Sequence, residues 1–287
     1  MAARQPAISF EFFPPKTEEG DRNLLERQIP ALLATRPDFC SVTYGAGGST
    51  REKTLMIVDR IQREHGLPAL AHLTCVNHTR EEILVLLEKF HALGCQNILA
   101  LRGDPPGGGA FQATPNGFEY SAQLVKFIRD HGRFSIGTAG FPEGHVACVA
   151  GKQADWGHLK EKIDAGADFV LTQLFFDNAD YFEFRDYLTN KLGVSVPLIP
   201  GIIPILSAGQ ITKFTQLSGA KIPAALRTSL DKLINNDEAA AEFGIEYATR
   251  QCEELLRAGV PGLHFYTLNK ARSTVQVLKN LKLAQGG

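Results

Sequence analysis

Glu11 stands between Phe10 and Phe12 in the run Ile8-Ser9-Phe10-Glu11-Phe12-Phe13. Apolar surroundings strip a carboxyl of the hydration that stabilises its charge, so its pKa is expected to rise. A carboxyl still protonated near neutrality is a useful general acid. The other reading is that Glu11 alternates outward and pairs with a surface lysine. Arg102-Gly103-Asp104 sets two opposite charges around a glycine at the end of another apolar run. Those charges can pair with each other, or the backbone and carboxylate can contact a cofactor. His72 and Gln173 each interrupt a hydrophobic segment, where a buried polar group needs a partner. For a single histidine in a strand, a hydrogen-bonded core role is the simpler reading. The segment Gly45-Ala46-Gly47-Gly48-Ser49-Thr50 follows an apolar run and precedes a helical one. That placement suits an anion at a helix N-terminus, and it equally suits a flexible loop. It matches neither the P-loop nor the G-x-G-x-x-G pattern, and the eight histidines carry no metal-ligand spacing, so no metal is expected.

The elements that must position these residues repeat in pattern. Apolar strands are expected at 8–13, 39–44, 69–75, 97–103, 135–141, 169–176, 197–203 and 264–268. Helical spacing separates them. Ile83, Leu86, Leu87 and Phe90 fall on one face before Gly94, and Leu159 and Ile163 alternate with charged residues before Gly166. Strand followed by helix implies βαβ units, and nearly continuous apolar strands such as Phe169-Val170-Leu171 imply a parallel sheet covered on both faces. Eight such units favour closure into a single (β/α)8 TIM barrel over residues 1–287, with extra helix at 222–258 before the last strand. Active sites of such barrels lie at the carboxyl ends of the strands. That rule selects Glu11, Thr43, Tyr44, His72, Thr74, Arg102, Asp104, Phe141, Gln173, Tyr266 and Asn269.

Composition narrows the partners. The 287 residues are 44% hydrophobic and 21% charged, with a net charge of -1, so neither nucleic acid nor an anionic membrane surface is an expected partner. No stretch approaches the roughly 20 apolar residues needed to span a bilayer, and no signal peptide precedes the first apolar run. The five cysteines form no C-x-x-C pair, which fits reduced thiols in a cytoplasmic protein.

Seven blocks occur in order, each at a strand end: Ser9-Phe10-Glu11-Phe12-Phe13-Pro14-Pro15, Val42-Thr43-Tyr44-Gly45-Ala46, His72-Leu73-Thr74-Cys75, Leu101-Arg102-Gly103-Asp104, Thr172-Gln173-Leu174-Phe175-Phe176, Ile199-Pro200-Gly201-Ile202 and His264-Phe265-Tyr266-Thr267-Leu268-Asn269. Together they resemble the methylenetetrahydrofolate reductases, in the short bacterial form without a regulatory domain. The resemblance implies a barrel that binds FAD noncovalently and interconverts 5,10-methylenetetrahydrofolate and 5-methyltetrahydrofolate by ping-pong hydride transfer through flavin N5. NADH or NADPH would be the electron donor, and a homo-oligomer is possible on the same analogy. Glu11 would be the general acid that opens the five-membered ring of the folate, and Asp104 would tune the flavin near N1. Thr43, Tyr44, Ala46, His72, Arg102, Gly103, Asp104, Tyr120, Phe141, His145, Asp155, His158 and Lys162 would hold FAD. Glu11, Gln173, Gln210, Phe214 and Lys270 would meet the substrate, with Phe214 stacking on the pterin or nicotinamide.

Three departures from the family pattern stand out. Phe141 replaces a frequent Tyr, Lys270 replaces a usual Arg and so lacks the planar bidentate fork, and the loop at 145–155 differs. Two other functions compete with the reductase: a non-flavin barrel lyase or isomerase using Glu11 and Lys162, and a catalytically silent folate-binding subunit.

Overall fold

The computed structural model describes residues 5–44, 48–105, 107 and 109–283. Eight parallel strands close into a barrel in chain order: β1 (Ala7–Phe12), β2 (Phe39–Val42), β3 (Ala69–Thr74), β4 (Asn97–Leu101), β5 (Ser135–Gly140), β6 (Phe169–Leu174), β7 (Leu198–Ile202) and β8 (Gly262–Tyr266). The ring shuts where β8 pairs with β1, from Ala7 opposite Gly262 to Glu11 opposite Tyr266. Around it run α1 (Glu18–Asn23), α2 (Ile29–Leu33), α3 (Gly48–His65), α4 (Arg80–Ala92), α5 (Ser121–Asp130), α6 (Lys152–Asp164), α7 (Asn178–Asn190), α8 (Ala208–Ser218), α9 (Ala224–Asp231), α10 (Asp237–Arg257) and α11 (Ala271–Asn280). The (β/α)8 TIM barrel expected from the alternating pattern is the fold observed.

Strand alternation sorts the side chains into two sets. Phe10, Phe12, Val42, Leu73, Val170 and Phe265 point outward, where they join the core between sheet and helices. Inside the barrel Leu70, Leu99, Leu171 and Ile199 form an apolar layer, packed by Phe39, Leu101 and Phe169. Glu11, Ser41, His72 and His264 share the inward parity, so the barrel interior carries polar groups above an apolar floor.

The helices form for reasons visible locally. Thr79 and Glu82 make a reciprocal capping box at the start of α4, which buries Ile83, Leu86, Leu87 and Phe90 as the spacing predicts. The long helical stretch before the last strand resolves into α9 and α10, separated by residues 232–236. No described helix is long and apolar enough to cross a membrane.

The strands end earlier than the apolar runs suggest. The last one differs most, spanning Gly262–Tyr266 in place of the expected 264–268. Leu268 and Asn269 adopt φ of 51° and 56°, the left-handed region that no strand can hold.

Candidate active site

Glu11 lies inside the barrel near the carboxyl end of β1 and is only 6% exposed. It does not turn outward to a surface lysine. Its Oε2 accepts a hydrogen bond from Ser41 Oγ at 3.3 Å and lies 3.3 Å from His72 Nε2 and 3.5 Å from His264 Nε2. Burial alone would raise its pKa, but hydrogen bonding and charge from His264 and His72 outweigh burial and lower it from 4.5 to about 2. The elevated pKa expected from Phe10 and Phe12 is therefore corrected. Those two rings occupy the opposite face of the strand, whereas the inward neighbours are two imidazoles that favour the charged form.

A second group assembles at the ends of β4 and β5 and on α6. His145 feels the charges of Asp155, Arg102, Asp104 and Lys162, and Lys162 those of Asp155 and Arg102. Lys162 donates through Nζ to the Ala139 carbonyl at 2.6 Å, and burial lowers its pKa from 10.5 to about 8 despite the opposing pull of Asp155. Burial also lowers the pKa of His145, whose ring meets Phe141 edge-on at 4.6 Å. Phe141 is fixed in turn by the buried Trp156, whose Nε1 donates to its carbonyl at 2.9 Å. The Arg102 guanidinium lies 5.1 Å over the Phe111 ring, and Asp104 is exposed; among the described residues no ion pair joins the two. Gly103 has φ of 81°, and a Cβ there would come within 2.7 Å of Val76 Cγ1, so only glycine fits this turn.

The remaining expected site residues sit around this mouth with less direct wiring. Tyr44 is buried, its hydroxyl paired with His78 Nε2 at 2.9 Å, and burial pushes its pKa up to about 12. His78 also bonds the Val76 carbonyl through Nδ1, which fixes Nε2 as the acceptor. Thr43 is tied to β1 through its backbone nitrogen, which donates to Phe12. The Gln173 side chain accepts from its neighbour Leu174 and lines a small cleft with Phe141, Gly144 and Ser218. Phe214 packs on an apolar cluster with Ile211 and Leu226, and Gln210 lies in the first turn of α8, which Ser207 caps. Tyr120 is exposed at the start of α5, and Lys270 is exposed before α11. His158 is also exposed, 3.6 Å from Glu161. Ala46 lies outside the described residues.

Three polar strand-end residues have structural partners. Asn269 clamps both backbone groups of Phe13, accepting from its nitrogen at 2.9 Å and donating to its carbonyl at 2.7 Å. Tyr266 reaches across to the Thr172 carbonyl at 2.7 Å, and Thr267 donates to the Glu11 carbonyl at 2.7 Å.

Ser9, Ser41, His264 and His78 escape a reading based on strand ends alone. Parity could have found two of them, since Ser9 lies two residues before Glu11 and His264 two before Tyr266, both on the interior face.

The architecture is thus a (β/α)8 barrel with a carboxylate held between imidazoles in its interior and a group of charged side chains of both signs at the strand ends. Comparison with known proteins gives the family: the chain belongs to the methylenetetrahydrofolate reductases, whose family model matches residues 1–282. It is 41% identical over 290 residues to "Methylenetetrahydrofolate reductase (NADH) 1" of Arabidopsis thaliana, covering 97% of this chain and 49% of the relative. It is 37% identical over 280 residues to the "5,10-methylenetetrahydrofolate reductase" of Escherichia coli (strain K12), covering 97% of this chain and 92% of that one. The chain spans about half the length of the plant relatives it matches. A solved structure of an uncharacterized protein from Clostridium thermocellum, which binds two copies of 5-methyl-5,6,7,8-tetrahydrofolic acid, shares the fold. Its TM-score is 0.65 at 16% identity, with coverage of 99% of this chain and 95% of that one.

Proposed function

We propose that this chain is a flavin-dependent 5,10-methylenetetrahydrofolate reductase with noncovalently bound FAD and NADH or NADPH as electron donor. The observation that carries the reading is Glu11, a buried carboxyl at the strand end of a barrel in this family, with two imidazoles facing its Oε2. Family membership and near-complete coverage of the bacterial relatives support the same activity.

The residues present fit FAD. Arg102 and Lys162 share one group with His145, Asp155 and Asp104, and the Lys162 ammonium is drawn inward against its own hydration. The Arg102 and Lys162 cations would give a diphosphate two charge-assisted donors. When bound there, FAD would supply the hydride-transfer chemistry that links nicotinamide and folate. Thr43, Tyr44, His72, Tyr120, Phe141 and His158 complete the proposed cofactor surface, and Gln173, Gln210, Phe214 and Lys270 the proposed substrate surface. Asp104 would disfavour negative charge on the flavin ring. Glu11 donates its proton to the folate nitrogen that leaves the one-carbon unit, which opens the five-membered ring.

Glu11→Gln tests the assignment. The variant keeps the shape but carries no transferable acid proton, so folate reduction by the prereduced protein should fall by about 10²- to 10⁴-fold. Flavin reduction by NADH should be unchanged within a few-fold, because that half-reaction needs no acid. Rapid mixing separates the two, and equal loss in both would overturn the role. A purified protein that FAD cannot reconstitute would overturn the flavin reading itself and favour the lyase or silent-subunit alternatives.

A further inference from the structure

The proposed cofactor loop after β5 and the proposed substrate helix α8 lie far apart in the chain, and one contact joins them. The chain leaves β5 at Gly140 and turns at Phe141–Gly144, where Gly144 takes φ of 81°. The Phe141 carbonyl accepts the Gly144 nitrogen, which closes the turn, and also Trp156 Nε1, each at 2.9 Å. Between them stands Glu143. Its two carboxylate oxygens accept the same donor, the Lys221 backbone nitrogen, at 3.2 and 3.1 Å. Lys221 lies two residues beyond Gly219, which caps the C-terminal end of α8 with φ of 75°. Burial pushes the Glu143 pKa up, as do the charges of Asp180 and Asp177 at the start of α7, while the Lys221 nitrogen and ammonium pull it down. The carboxyl has therefore left water to meet this one backbone group, in a charge-assisted bond.

A second contact lies beside it. A Cβ at Gly219 would fall 2.0 Å from Val146 Cγ1, so a side chain there would drive the loop away. Ser218, Gly219 and Ala220 share a small cleft with Phe141, Glu143 and Gln173. The two sides are fixed differently. The loop is tied to α6 by Trp156 whether or not Glu143 is present. On the other side, the end of α8 rests on Ala220, in the apolar cluster that also packs Phe214, and on the bond to Glu143. Gln210 and Phe214 stand on that same helix, nine and five residues before Gly219.

We infer that Glu143 is a positioning residue for the folate: it pins the C-terminal end of α8 to the cofactor loop and so sets how Gln210 and Phe214 meet the substrate. The inference rests on the reading of those two residues as substrate surface. Without the bond, the end of α8 moves more freely, and the folate itself must hold the helix in place. That loss falls on binding. Once the folate is bound the helix is ordered again, so the rate at saturation changes little.

The test uses the flavin-loaded protein, reduced beforehand, and follows flavin oxidation over a range of 5,10-methylenetetrahydrofolate concentrations. Glu143→Ala should raise the half-saturating concentration about tenfold, as loss of a charge-assisted hydrogen bond would, with the rate at saturation changed less than about threefold. Glu143→Gln keeps one acceptor for the Lys221 nitrogen and should recover most of the affinity. Bound FAD should be retained in both, because Trp156 still ties the loop. Independently of turnover, amide hydrogen exchange should quicken at Lys221 and in the last turn of α8 in Glu143→Ala, and stay slow in Glu143→Gln. An unchanged half-saturating concentration in Glu143→Ala would overturn the inference, as would a fall in the rate at saturation as large as the loss of affinity. Loss of bound FAD would overturn it too, and so would Glu143→Gln binding folate as weakly as Glu143→Ala. Phe214→Ala separates this inference from the reading beneath it. If that variant keeps its folate affinity, the substrate surface falls and the role of Glu143 with it. If Phe214→Ala weakens the affinity while Glu143→Ala does not, only the role of Glu143 falls.

Discussion

The two carboxylates given roles differ in what surrounds them, and different measurements report on each. Asp104 is exposed at the end of β4, so its proposed effect is one of charge near the flavin. Asp104→Asn removes that charge, reduced flavin gains by it, and the potential should move upward in a redox titration. Glu11 is depressed from 4.5 to about 2 by its imidazoles, so it contributes stability above pH 4.5 that is lost as pH falls toward 2. Urea denaturation of Glu11→Gln should accordingly show a smaller loss of stability than the wild type across that window. Lys162 carries the opposite sign. Its pKa is lowered from 10.5 to about 8, so its burial costs stability at neutral pH, and that cost is relieved as pH rises from about 8 to 10.5. Lys162→Met should remove this alkaline gain while weakening FAD binding, which denaturation at neutral and alkaline pH and a flavin titration would reveal. Glu11 was legible in the sequence as a site residue, but the direction of its shift was not. The sequence displays the neighbours along the chain, Phe10 and Phe12, whereas His72 and His264 reach the carboxyl across the barrel.

At the scale of elements, all eight strands were legible because parallel barrel strands are apolar enough to be seen as runs. Their ends were less so. Polar and aromatic residues past Leu101, Gly140 and Leu174 continue the apolar pattern without continuing the sheet, because the βα loops there turn to line the mouth. The end of β8 shows the cause most directly: Thr267 bonds the Glu11 carbonyl, and Asn269, at φ 56°, clamps Phe13. Asn269→Ala strands two half-buried backbone groups and puts alanine in a left-handed conformation, so it should cost about 2 kcal/mol in urea denaturation. Gly201 makes a similar demand inside β7, where a Cβ would lie 2.3 Å from the Thr172 carbonyl oxygen and 2.6 Å from the Tyr266 ring. The extra helix before the last strand was visible from its spacing, but its division into α9 and α10 was not.

Across the whole molecule, burial sets which groups the solvent can reach. Cys40, Cys75, Cys95 and Cys252 are buried, and burial raises the pKa of each, that of Cys75 to about 12, while Cys148 is half-buried. A thiol reagent should therefore modify one cysteine quickly in the native protein and five after denaturation. The same whole-chain view bears on the barrel seam. Ser9 and His264 are 255 positions apart, yet their contact lies in the pairing of β1 with β8 that shuts the ring. Bringing such distant segments together is slow and comes late in folding. A molecule with seven strands in place would already have Glu11, Ser41 and His72 but not the ring that Ser9 holds behind the carboxyl. Closing the ring therefore completes the surroundings of the carboxyl in the same event that completes the barrel.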